Sequence, residues 1–76
     1  MIPKEHIDRL GFDAWAANVF QNAIEDYYAD MGGNGNVSME SKDMNMNMTW
    51  DDKTIEFNLR AYTHEGWKEY TSQIKK

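Results

Sequence analysis

The chain has 76 residues, a net charge of −5, no cysteine and ten aromatic side chains among tryptophan, tyrosine and phenylalanine. That length provides one small core and no second domain, and the missing thiols exclude disulfides, thiolate metal sites and cysteine catalysis. No apolar run is long enough for a membrane span and the start, MIPKEHIDRL, does not have the pattern of a signal peptide, so a cytoplasmic protein is expected.

The acidic excess is unevenly placed. From Arg9 to Lys42 no lysine or arginine intervenes, while Asp13, Glu25, Asp26, Asp30 and Glu40 do; elsewhere acids and bases balance at eight each. A nucleic-acid binder concentrates positive charge on one face. This chain does the opposite, and direct nucleic-acid binding is not expected.

In chain order, Pro3 sits where a first helical turn accepts proline. The apolar positions Phe12, Trp15, Ala16, Val19, Phe20, Ala23, Ile24, Tyr27, Tyr28 and Met31 then recur in steps of three and four. That spacing predicts one long helix over about 4–31, with a bend at Gly11. GGNGN at 32–36 ends it, with Gly32 or Gly33 expected in the left-handed cap. These glycines follow a helix and precede a strand, the reverse of a phosphate-binding loop.

From there the period is two. Val37 and Met39, then Met44, Met46, Met48 and Trp50, then Ile55, Phe57, Leu59 and Ala61 are apolar on alternate positions, and each change of phase marks a turn. Strands are predicted over about 36–40, 43–50 and 54–62. Pairing Trp50 with Ile55 sets Met48 opposite Phe57, Met46 opposite Leu59 and Met44 opposite Ala61. Pairing Met39 with Met44 sets Val37 opposite Met46. Thr63 then caps a predicted C-terminal helix over about 64–75, carrying Trp67, Tyr70, Thr71 and Ile74 on one stripe. The expected fold is α+β: a long N-terminal helix, a three-stranded antiparallel meander and a C-terminal helix (αβββα), both helices on one face of the sheet, as a single domain over 1–76.

The run MNMNMTW hides methionines on the core side and shows asparagines on the other, a role suited to a flexible thioether. Met-x-Met with a tryptophan nearby also resembles the metal site of periplasmic copper chaperones, which implies Cu(I) or Ag(I) held by Met46, Met48 and Trp50. Those chaperones are small barrels with an added histidine, whereas this chain opens on a helix. The helix–three strands–helix order is similar in topology to double-stranded-RNA-binding domains, but the last segment, THEGWKEY, lacks the lysine cluster those domains use on phosphates. The strand TIEFNLRAY followed by a helix loosely resembles small phage head-to-tail joining proteins. No Ser, His and Asp set is indicated by spacing, so no enzyme, metal or cofactor is expected.

Glu25, Asp26 and Asp30 stand at the wrong end of the long helix, where its dipole disfavours negative charge. With Tyr27 and Tyr28 among them they form the candidate partner-binding surface, suited to a basic protein. In general character the chain resembles small acidic inhibitors encoded by phages and mobile elements, including anti-CRISPR proteins, which implies occupation of a basic, nucleic-acid-binding surface on a partner. The alternative is an assembly subunit that associates through a sheet edge, including a homodimer through the third strand, 54–62.

Overall fold

A computed structural model describes all residues, Met1–Lys76. Two helices, α1 (Lys4–Leu10) and α2 (Phe12–Tyr27), precede a single turn of 3-10 helix (Tyr28–Asp30) and four strands: β1 (Gly35–Glu40), β2 (Met44–Trp50), β3 (Thr54–Thr63) and β4 (Gly66–Lys75). The strands form one antiparallel meander in chain order. The fold is therefore ααββββ. The predicted C-terminal helix is absent, and its residues make the fourth strand. No helix is long and apolar enough to cross a membrane.

Gly11 divides the helical segment outright. At φ 83° it occupies a conformation that L side chains rarely adopt, and its N–H still bonds the Ile7 carbonyl at 2.7 Å. Beyond it Phe12, Ala16, Phe20 and Ala23 bury one stripe of α2. The far end differs from expectation. Neither Gly32 nor Gly33 has a positive φ; the helix tightens into the 3-10 turn, closed by the Met31 N–H on the Tyr28 carbonyl at 3.2 Å.

The β2–β3 hairpin has the register that the apolar phases predict, Met44 opposite Ala61 through Trp50 opposite Ile55. Its turn is held by Asp51, whose Oδ1 accepts from the N–H groups of Lys53 and Thr54, each at 2.8 Å. The β1–β2 register differs by two residues: Met39 faces Met46 and Val37 faces Met48. Ser41 N–H bonds the Met44 carbonyl at 2.8 Å, so the turn closes on Lys42 and Asp43 alone. An even slip keeps every side chain on its face, which is why the apolar pattern could not distinguish the two registers.

β3 and β4 are joined by His64 and Glu65. Thr63, fully buried, donates its hydroxyl to the Gly66 carbonyl at 2.8 Å and accepts the Glu65 N–H at 3.1 Å. Gly66 takes φ 101°, which completes the reversal. Thr63 thus organises a hairpin, not a helix start.

The core lies between the helices and one sheet face. Met46, Met48, Trp50, Ile55, Phe57, Leu59 and Ala61 pack with Ile7, Phe12, Ala16, Phe20, Ala23 and Met31. Phe20 stacks on Phe57 with ring centroids 4.5 Å apart, which seats α2 over the middle of the sheet.

Candidate functional site

The end of α2 collects exposed acid around an apolar recess. Glu25, Asp26 and Asp30 are exposed, Tyr27 is half-buried against the core, and Tyr28 is 75% exposed. Ion pairs join Met1 to Asp43, Lys4 and His64 to Asp8, Arg60 to Glu69 and Lys68 to Glu65. None involves Glu25, Asp26 or Asp30, so their charge is free for a partner.

Tyr28 also forms one wall of a recess of about 570 Å³, together with Ile24, Met31, Ile55, Ile74 and the stems of Lys75 and Lys76. The recess is the apolar one among the surface depressions. It exists because α2 ends over β3 and β4 before reaching their ends, leaving Ile74 40% exposed. The last turn of α2 has no cation of its own. Lys76 supplies one from the far end of the chain, its ammonium donating to the Met31 carbonyl. The five residues singled out from sequence therefore fall together at one end of the molecule. The recess beside them was not legible, because Ile55 and Ile74 come from strands and Ile74 was assigned to a helix.

The opposite sheet face is bare and polar. Asn47 faces Asn58 across β2 and β3, Ser38 donates to Asn47 Oδ1 at 3.0 Å, and Asn58 faces Thr71. At one end Tyr62 and Trp67 pack at 5.4 Å, and the Arg60 guanidinium lies 5.7 Å from the Trp67 ring. Trp67 belongs to this face and not to the core stripe on which helical spacing placed it.

Met46, Met48 and Trp50, the proposed soft-metal set, are 4%, 0% and 7% exposed and all lie within the core. The Met46 and Met48 thioethers belong to the buried apolar cluster, and neither is displayed on the surface. No group of three or more His, Cys, Asp or Glu is placed to hold a metal ion. β3 pairs along its length with both β2 and β4, so the third strand offers no edge; the free edges are β1 and β4.

No family model, no curated protein and no solved structure matches this chain.

Proposed function

We propose that the protein is a cytoplasmic protein-binding module that engages a basic partner through the end of α2. One observation carries the reading: unpaired Glu25, Asp26 and Asp30 flank the helix residues that line the apolar recess, with exposed Tyr28 between acid and recess. Charge steers and orients a partner, whereas a buried apolar or aromatic anchor holds it. A lysine- or arginine-rich surface carrying one projecting apolar side chain matches both. Where that surface serves nucleic acid, the bound module excludes the nucleic acid and acts as an inhibitor, in the manner of phage-encoded anti-defence proteins such as anti-CRISPRs.

The test is capture from lysate by three immobilised proteins, at low salt and near 1 M salt, where screening shortens to about 3 Å. The wild type should retain a basic partner at low salt and shed it at high salt. The Glu25→Gln, Asp26→Asn, Asp30→Asn triple variant should not retain it, and Tyr28→Ala should bind it more weakly at every salt. Retention by the triple variant would overturn the proposal.

A further inference from the structure

We propose that the chain self-associates by antiparallel pairing of its β4 edges, with Ser72 on the two-fold axis, so that two sheets become one. The paired edge shares Ile74 and Lys75 with the recess beside α2 but does not rest on the function proposed for that recess.

The free backbone of β4 is identifiable. Lys76 N–H donates to the Lys53 carbonyl at 2.9 Å, continuing the β3–β4 ladder. In an antiparallel ladder, backbone groups point to alternate sides. Even-numbered residues of β4 therefore bond β3, and Trp67, Glu69, Thr71, Gln73 and Lys75 direct theirs outward. This edge is ten residues long, against six for β1, with no proline. Edges of that kind are ordinarily blunted. The core-side charges are Lys68, whose ammonium is held by Glu65 at 2.9 Å at the hairpin end, and Lys76, whose ammonium donates to the Met31 carbonyl.

The side chains select a register. About Ser72, Glu69 faces Lys75 of the second copy and Thr71 faces Gln73 in hydrogen-bonded pairs. Tyr70 faces Ile74 in the closer, non-hydrogen-bonded pairs. By symmetry each contact occurs twice. On the open face acid meets base; on the core side the exposed Ile74 and the half-buried Tyr70 extend the apolar layer across the junction. At each end of the overlap Lys68 faces Lys76 of the second copy, and the two ammoniums are drawn apart, one to Glu65 and the other to the Met31 carbonyl. Moving the axis to Thr71 sets Ile74 against Lys68 and Glu69 against Gln73. Moving it to Gln73 takes Glu69 outside the strand overlap and sets Lys75 against Thr71. Moving it to Tyr70 sets Glu69 against Thr71 and Ile74 against Gly66.

The experiment is sedimentation of the full chain over a concentration series. The wild type should show a reversible dimer. Glu69→Lys and Lys75→Glu should each weaken self-association by about tenfold or more, because each sets like charges opposite one another at both symmetric sites. Glu69→Lys also brings the net charge of −5 nearer zero; a general charge effect would strengthen association, so its direction distinguishes the two causes. Mixed in equal amounts, the two variants should form a 1:1 heterodimer, since every Lys then faces a Glu. That recovery also shows that both variants are folded. A wild type that remains monomeric at its highest soluble concentration, a single variant that dimerises undiminished, or a mixture that does not assemble would each overturn the proposal.

Discussion

Replacing Gly35 by alanine sets two physical effects against each other, and the sign of the result decides between them. Gly35 begins β1 opposite Trp50, and its φ is not in the left-handed region. By backbone entropy alone, alanine at such a site stabilises by about 0.4–1 kcal/mol. The structure adds a steric term. A methyl at Gly35 would lie 2.6 Å from Cζ2, 2.7 Å from Cε2 and 2.8 Å from Nε1 of Trp50. That indole is rigid and 7% exposed, so it cannot swing aside. Overpacking of this kind costs about 1–3 kcal/mol, which leaves a net loss of about 1–2 kcal/mol. A domain of this length holds about 4–11 kcal/mol in total. The melting temperature should fall by about 5–15 °C. The assay is thermal and urea unfolding of Gly35→Ala, alone and in a Trp50→Leu background. Leucine removes the ring, so there the alanine should be neutral or stabilising, with a coupling of about 1 kcal/mol or more between the two sites. An unchanged or raised midpoint in the single variant would refute the reasoning, as would equal losses in both backgrounds.

Thr63→Val keeps shape but leaves the Gly66 carbonyl and Glu65 N–H without their partner, so urea unfolding should show a loss of about 1–3 kcal/mol. The Asp51 carboxyl is held below the usual carboxylate range, first by the Lys53 N–H, then by the Thr54 N–H; Glu65 is held low by Lys68. Both values are lower in the folded than in the unfolded chain. Their stabilisation is therefore complete above the ordinary carboxylate range, near pH 4, and is lost as pH falls through the lowered values. Asp51→Asn, which keeps an acceptor but cannot titrate, should flatten the acid limb of a melting-temperature profile; an unchanged limb would rule out Asp51 as a contributor. Silver ions added to the folded protein should leave tryptophan emission unchanged, because Met46 and Met48 are enclosed beside Trp50. Saturable quenching without unfolding would show that the thioethers are accessible.

The readable part of the fold was the part with two strong constraints. From Met44 to Trp50 and from Ile55 to Ala61 every second residue is apolar and each strand has a neighbour on both sides, so the pattern fixes the faces, and the turn held by Asp51 fixes the register among even slips. β1 has only Val37 and Met39 to fix it, and a slip of two exposes neither to a new face. β4 was misread because its alternation is diluted. Its core-side residues are Lys68, Tyr70, Ser72 and Ile74, while Trp67 turns outward beside Tyr62. Trp67, Tyr70 and Ile74 happen to be spaced three and four apart, which imitates a helical stripe. The contrary signal was chemical: tryptophan, tyrosine, threonine and isoleucine suit strands, and Thr-His-Glu-Gly is a tight-turn sequence with glycine where φ is positive. Exposure of Glu25, Asp26 and Asp30 was legible because unpaired acids are seldom buried; Tyr28 was counted on the apolar face by spacing, and it is exposed where the helix tightens into the 3-10 turn. The recess next to them depends on where β4 ends.

The width of the sheet explains why the unsatisfied apolar surface gathers where it does. Four strands span about 14 Å between outermost axes at the usual spacing, and a helix with its side chains is about 10–12 Å across. Seated over Phe57 through Phe20, α2 cannot cover both edges. Met39 on β1 and Ile74 on β4 accordingly remain 49% and 40% exposed on the core side. Exposure at β1 is a single flexible side chain next to Glu40. At β4 it joins Tyr70, the recess under Tyr28 and a ten-residue run of free backbone. A C-terminal helix would have covered that side; the chain uses those residues to build the edge instead. The uncovered apolar surface at β4 is thus the common ground of both proposals, a second copy along the strand and an apolar anchor in the recess; exposed Glu25, Asp26 and Asp30 beside it would attract the second if it is carried on a basic surface.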